Sequence, residues 1–276
     1  MLKFDWLKSG SNIFFRLLMN LLSKIAKQSI YLPFIFLFLM TNAKSATHYV
    51  VGVENIEYLP YFDGSGADNS DYYGFSQKLL TLFAQQHDFK FEFYTLPINR
   101  LYKEFIDHHH VDFKYPDNPQ WKPSYKASFG DLNEIIYSQP TVVTKTGIAS
   151  LNKNITIDEC VSFATVRGFT PQSFKPLMNN ENVELIETAN VRELIELLLK
   201  ERVECVYISN DVLNYNIVKY FKLTRPVYFQ NELPVDLQAF LLSSIDYPDI
   251  IKKFNTFLIS HKVQISKLKK EYQIKN

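Results

Sequence analysis

The sequence predicts an α/β fold of two βαβ-wound lobes joined by two crossing strands. Three observations point there. Residues 160–211 alternate strand, helix, strand, helix, strand, and residues 48–113 repeat the same plan. An extended, Pro-marked segment at 138–144 and a return segment at 228–236 lie where the chain must pass between the halves. Strands separated by helices pair in parallel through right-handed crossovers, because antiparallel hairpins need only short turns.

In the first half, residues 48–53 read as a strand. The helix over 75–86 carries Phe75, Leu79, Leu82 and Phe83 on one face, and the strand over 89–94 alternates Phe89, Phe91 and Phe93 with Lys90 and Glu92. A second helix holds Ile98, Leu101, Tyr102 and Phe105, and Val111-Asp112-Phe113 opens a third strand. The second half starts with a strand over 161–166. Thr170-Pro171 then signals a helix entry, a hydroxyl N-cap followed by Pro at the first helical position. A strand over 183–186 leads to Asn190, which caps a helix with Val191, Leu194, Ile195 and Leu198 in one stripe. Glu193, three residues after Asn190, has capping-box spacing. The third strand, 205–208, ends in Ser209-Asn210-Asp211. After residue 236 the chain returns: a helix with Ile250, Phe254, Phe257 and Leu258 packs on the first lobe, and Ile265, Leu268 and Tyr272 form the last apolar stripe. These readings give one lobe from 47–141 plus 237–276 and another from 142–236, each with its own core.

At 276 residues the chain suits two domains of roughly 100–150 residues each. A formal charge of +1 leaves no electrostatic footprint for nucleic acid. The one lysine run, Lys267, Lys269 and Lys270, reads as a solvated helix end where cations suit the dipole. A monomer is expected.

Residues 1–46 read as a leader rather than as part of the fold. Lys24 and Lys27, an apolar run over 30–40 and the small residues Ala43, Ser45 and Ala46 form the pattern of a secretory signal. The run is shorter than the roughly 20 apolar residues of a membrane span. Cleavage after Ser45 would put Ala43 at the −3 position, and with no Cys near the site a lipid anchor is not expected. The segment before Met19 is unusual for a signal, which points to Met19 as the start; the competing reading is a retained amphipathic anchor with Ile13, Phe14, Leu17, Leu18 and Leu21 on one face. The mature protein is expected in the periplasm.

Export leaves Cys160 and Cys205 two fates: a disulfide, or a pair of buried thiols acting as small apolar residues. They open the first and third strands of the second half, which are neighbours in a 2-1-3 strand order.

In parallel α/β sheets ligands meet the loops at the carboxyl ends of the strands. Here those loops are aromatic and polar: Glu54 through Asp63, including Tyr58 and Tyr61; Pro97, Asn99 and Arg100; and Lys114 through Lys122, with Tyr115, Asp117 and Trp121. Arg167 and Thr170, Glu187, and Asp211 follow the strands of the second half. The expected ligand contacts are Tyr58, Tyr61, Tyr115, Asp117, Trp121, Lys122, Arg167, Thr170 and Asp211, with Arg100 left to a structural ion pair. His108-His109-His110 is expected to be an exposed helix-to-strand turn, because consecutive residues there point apart and cannot converge on one metal ion. No glycine-rich phosphate loop, nucleophile elbow or paired-Cys motif is present, so no cofactor is expected.

Tyr58-Leu59-Pro60-Tyr61, Gly74-Phe75 opening a helix, Arg167-Gly168-Phe169-Thr170 and Arg202-Val203-Glu204 before the last strand resemble the periplasmic solute-binding proteins of family 3. Those are the polar amino-acid receptors of ABC importers, and the similarity runs over about residues 49–272. The resemblance implies a type 2 periplasmic-binding fold, hinged, with a ligand held in the interlobe cleft. It implies an aromatic stack on the ligand at Tyr58, and a glycine–hydroxyl turn for the ligand carboxylate at Gly168 and Thr170. Two departures stand out. Where the family has a carboxylate-clamping Arg, this chain has 115–122, with Lys122 the nearest cation, and a lysine cannot form the bidentate fork. Where the family has an acidic residue for the α-amino group, this chain has Ser209, with Asp211 two positions later. The implied partners are a small polar organic ligand and a membrane permease of an ABC transporter or a sensor protein; the aromatic and charged make-up of the cleft loops points to a zwitterionic or cationic solute with a planar or apolar part. The remaining alternative is a dehydratase-like or peptidoglycan-cleaving enzyme with Asp117, Glu187 or Asp211 as general acid.

Overall fold

The computed structural model describes Arg16, Asn20 and residues 47–66, 68, 71–128 and 135–274. The leader expected over 1–46 therefore lies outside the described residues, apart from Arg16 and Asn20, and no described helix is long and apolar enough to cross a membrane. Residues 47–276 form one unit.

Strand β1 (Thr47–Glu54) lies between β4 (Phe89–Leu96) and β5 (Phe113–Asp117), both parallel to it, with Val51 opposite Phe93 and Phe113. Between β1 and β4 come the short β2 (Glu57–Tyr58) and β3 (Phe62–Asp63), which pair with each other, and α1 (Phe75–Gln85). Phe75, Leu79, Leu80 and Phe83 are the buried stripe of α1, the spacing an amphipathic helix requires. After β4, α2 (Ile98–Tyr102) widens into a π turn, Lys103–Asp107, before β5. The chain continues through α3 (Pro123–Ala127), β6 (Ile136–Tyr137) and the long β7 (Val142–Ser150).

The second half repeats the plan. β8 (Ser162–Val166) has parallel neighbours on both sides. The chain passes through a 3₁₀ turn, Gln172–Phe174, and α4 (Lys175–Met178) to β9 (Glu184–Thr188). It then runs through α5 (Val191–Leu199) to β10 (Cys205–Ser209) and α6 (Asn210–Tyr220). Both halves have the second strand, first strand, third strand order expected of doubly wound sheets. The Asn190 side chain accepts the Glu193 N–H at 2.9 Å, and Glu193 reaches back to the Ala189 N–H at 3.0 Å, one residue before the reciprocal bond of a capping box.

After β11 (Tyr228–Phe229), β12 (Val235–Ser244) completes the crossing. Its first part pairs antiparallel with β7, Val235 opposite Gly147 through Phe240 opposite Val142, and its last part pairs antiparallel with β5. The crossing strands thus lie later, and are longer, than the segments 138–144 and 228–236 suggested. Because β12 belongs to both pairings, the two parallel sheets share one continuous hydrogen-bonded path. Helices α7 (Pro248–Ser260) and α8 (Lys262–Glu271) return to the first half, where the Phe254 and Phe257 rings stand 4.9 and 5.4 Å from Phe83.

Three expectations need correction. The third strand of the first half is Phe113–Asp117, so Lys114, Tyr115 and Asp117 are strand residues and not loop residues. Pro116 is tolerated there because the register of β12 shifts beside it, between Leu241 and Ser243. Thr170 is not a helix cap: Pro171 is, without a side-chain bond, and the helix proper starts at Lys175 with Pro176 in its first turn. Finally, the halves do not keep wholly separate cores. One apolar cluster runs from Phe75 and Phe254 through Tyr58 to Val191 and Leu194, and a smaller one around Phe163 and Phe174 belongs to the second half.

Cys160 and Cys205 form a disulfide, with Cα atoms 5.4 Å apart, inside that smaller cluster. The 2-1-3 order is what brings the two sulfurs together, and closing 45 residues of chain stabilises the fold by roughly 4 kcal/mol in the chain-entropy account.

Candidate ligand-binding cleft

The carboxyl ends of β1, β5 and β10, and the turn after β8, meet around one pocket of about 50 Å³ that opens partly to solvent. The first lobe contributes Glu54 from β1, Tyr58 from β2, Ile98 and Tyr102 from α2, and Trp121. The second contributes Gly168-Phe169-Thr170 and Tyr207. The floor is made by the crossing strands: Thr144 and Thr146 of β7, Gln238 and Phe240 of β12. Thr144 and Thr146 share a face because side chains alternate along a strand, and their hydroxyls are 3.2 Å apart.

Of the residues expected to contact ligand, Tyr58, Trp121 and Thr170 line this pocket. The Tyr58 and Phe169 rings meet edge to face at 5.5 Å across the cleft. The Trp121 indole N–H donates to the Gln238 amide oxygen at 2.6 Å, which pins the ring to the floor. Thr170 Oγ1 accepts the Lys122 N–H at 3.4 Å, so its hydroxyl ties the lobes across the rim. Lys122 itself sits in the left-handed region, φ 49°, outside the pocket wall.

Tyr61 and Asp211 meet each other. The buried Tyr61 hydroxyl donates to the Asp211 carboxylate at 2.8 Å, a direct bond between lobes. Burial first, and the adjacent Asp211 charge second, push the Tyr61 phenol far above its ordinary range, so it remains a donor. Arg167 is 63% exposed and 3.9 Å from Glu187; it lines a second, larger cavity of about 590 Å³ between the lobes, together with Glu57 and Arg192. Arg100 pairs with Glu104 at 3.3 Å.

Tyr115 and Asp117 lie beneath the pocket, inside the first lobe. Tyr115 is fully buried, shares a 2.6 Å hydrogen bond with Thr141, and has its phenol pushed up to about 12 by burial. Asp117 accepts from Lys126 at 2.8 Å and from Ser243 at 2.7 Å, with the Lys114 ammonium 3.5 Å away. Burial works to raise its pKa, and the two ammonium groups together overcome that and lower it. His108, His109 and His110 are exposed; His109 pairs with Asp246 and His110 with Glu104, and no metal-binding cluster occurs among the described residues.

Glu54 is the wall residue that the sequence reading passed over. It is buried, and its carboxylate has no hydrogen-bond partner among the described residues. Burial is the largest influence on it and lifts its pKa from 4.5 to about 7, against a smaller pull downward from Lys114. Its position as the last residue of β1 was the available signal.

The lobes touch closely around this pocket. Glu57 accepts from Arg192 at 2.9 Å and from the Tyr220 hydroxyl, both on the opposite lobe. Gly168, at φ 95°, packs so tightly on Ile98 that an added Cβ would stand 2.9 Å from the Ile98 Cβ. Gly168→Ala is therefore expected to disfavour the closed arrangement by about 1–3 kcal/mol, from clash and left-handed backbone together. Small-angle scattering should show a larger radius of gyration for the variant. An unchanged radius would mean that the turn adjusts without parting the lobes.

No family model matches the chain, and no curated protein matches it by sequence. Solved structures do match. An arginine third transport system periplasmic binding protein from Legionella pneumophila superposes with a TM-score of 0.60 at 16% identity, covering 82% of this chain and 100% of that one. The GluR0 ligand-binding core from Nostoc punctiforme, in complex with L-glutamate, gives 0.63 at 15% identity, over 82% of this chain and all 100% of the other. A double-mutant VFT2 domain of Bordetella pertussis BvgS gives 0.60 at 16% identity, with 82% and 93% covered. At these identities the likeness concerns architecture. This chain shares the two-lobe α/β fold of the periplasmic binding protein and the ligand-binding core on which it superposes.

Proposed function

We propose that the protein is an exported receptor that closes its two lobes, 47–141 plus 237–276 and 142–236, around a small polar, amino-acid-like solute and delivers it to a membrane permease of an ABC transporter. The observation that carries this reading is convergence. Side chains from both lobes and from both crossing strands face one pocket at the carboxyl ends of parallel strands. A ligand touching both walls stabilises the closed population by its differential affinity for that state. The solved structures of similar architecture include an arginine transport protein and a glutamate complex, which supports amine-bearing ligands.

Binding accounts for the cleft better than turnover at the carboxyls first considered for catalysis. Asp117 is held ionised between two lysines, Asp211 is bonded to Tyr61, and Glu187 is exposed outside the pocket. Mass spectrometry of protein purified from the periplasm should find one small polar molecule retained, and the same compound should raise the melting temperature by several degrees at saturation. A panel of amino acids, oligopeptides and amines giving no shift at millimolar concentration, with nothing retained, would overturn the receptor reading. Recovery of a converted product would replace it with an enzyme.

A further inference from the structure

The pocket wall has an unusual charge inventory. Among the described residues lining it, Glu54 is the only one that carries a charge, and aromatic rings make up much of the rest, including Tyr58, Tyr102, Trp121, Phe169 and Phe240. Of the cations nearby, Lys114 stands behind the wall and favours the charged form of Glu54, while Lys126 is paired with Asp117. Lys114 donates to the Pro116 carbonyl at 2.6 Å; Lys126 donates to Asp117 and to the Asn118 carbonyl at 2.7 Å. Arg167 and Lys122 are outside the wall. A ligand carboxylate would find no side-chain cation facing it, whereas an ammonium would find a carboxylate without a hydrogen-bond donor, ringed by π faces. Such faces attract cations by their quadrupole. Two of these rings already do so, since the Lys114 ammonium stands 4.5 Å from the Tyr102 centroid and 5.6 Å from that of Trp121.

We propose that the cleft selects a small organic cation, an alkyl- or methylammonium ion held between Glu54 and the aromatic rings, and rejects ligands that present a carboxylate. This rests on the receptor reading and replaces its amino-acid-like solute with a cation that bears no carboxylate. The groups facing Glu54 are Lys114 and Asp117 of β5, Tyr58 of β2, Tyr102 of α2, and Tyr72, with burial outweighing them all. Capture of a cation requires the ionised carboxylate, so affinity should rise with pH through the neutral range.

The test is calorimetric titration of the exported protein with methylammonium, trimethylammonium and tetramethylammonium chlorides, against glycine, L-alanine and sodium acetate at matched ionic strength. The cations are expected to bind and the carboxylates not. Tetramethylammonium keeps its charge at every pH, so any pH dependence of its binding belongs to the protein. With Glu54 titrating at about 7, its affinity should fall about tenfold from pH 8 to pH 6. E54Q, checked for an intact melting transition, should bind ten- to a hundredfold more weakly and lose the pH dependence. Binding of glycine, L-alanine or acetate as tightly as the cations, or cation binding unaffected by E54Q and by pH, would overturn the inference while leaving the receptor reading intact. Failure of every probe, in protein that also retains no small molecule on purification, would overturn both.

Discussion

Asp117→Asn is expected to destabilise the protein by about 3–5 kcal/mol, the largest effect of any single polar substitution in the first lobe. The carboxylate sits between two ammonium groups that water does not reach: Lys114 is 0% exposed, Asp117 0% and Lys126 2%. It also accepts the Asn118 N–H at 2.8 Å and the Ser243 hydroxyl at 2.7 Å. An amide of the same shape keeps some of these bonds and removes the charge, leaving Lys126 without a counter-ion and Lys114 with only Glu54 to offset it. That is the situation in which deleting one member of a buried pair hurts most, because desolvation of the survivors is no longer offset. The acid limb follows with a definite sign. Asp117 has a folded pKa below that of an ordinary carboxyl, so the folded state binds the proton less tightly than the unfolded state. The stability it contributes is complete above about pH 4 and is lost as pH falls through the lowered value. Urea unfolding at pH 7 checks the first point, and an acid titration of stability the second. A loss under about 1 kcal/mol at pH 7 would mean that the lysines find other partners or shed their protons.

Asp117 also marks the limit of what could be read from the chain. The alternation of strand and helix was legible because parallel pairing leaves period and spacing in the sequence, and the 2-1-3 order follows from it; that order then makes sense of Cys160 and Cys205. The Asn190 cap was legible too, since a cap is a contact within four residues. What faces the cleft depends on longer contacts. Nothing local tells that Lys126, nine positions on and across a turn of helix, returns to Asp117, or that Lys114 and Asp117 belong to a buried strand and not to the loop beyond it. Tyr61 and Asp211 were both named for the cleft, yet their meeting over 150 residues is a fact of lobe closure. Thr144, Thr146, Gln238 and Phe240 were missed because the crossing strands were read as connections, while in the fold their alternate side chains form the pocket floor.

Glu54→Gln is expected to stabilise the ligand-free protein at pH 8 by up to about 3 kcal/mol, the free-energy equivalent of moving a carboxyl from 4.5 to about 7. Here the sign is opposite to that for Asp117. The folded state holds the Glu54 proton more tightly than the unfolded state does, so stability is greatest below the unfolded pKa, declines as pH rises from 4.5 to about 7, and is level beyond. The wild type and E54Q should therefore unfold at similar urea concentrations near pH 4.5 and diverge towards pH 8, with the variant the more stable. A gap that does not widen with pH would mean that Glu54 is solvated or paired in solution. The Gln amide must place its own N–H groups in the same pocket, which offsets part of the gain. A carboxylate that weakens its own fold at neutral pH, seated where both lobes and both crossing strands meet, is a group whose partner comes from outside the chain. Stability given up at one buried position is the usual signature of a binding site. The same substitution should thus raise the melting temperature of the empty protein and remove its response to a cation, and the two effects must appear together if Glu54 serves the ligand.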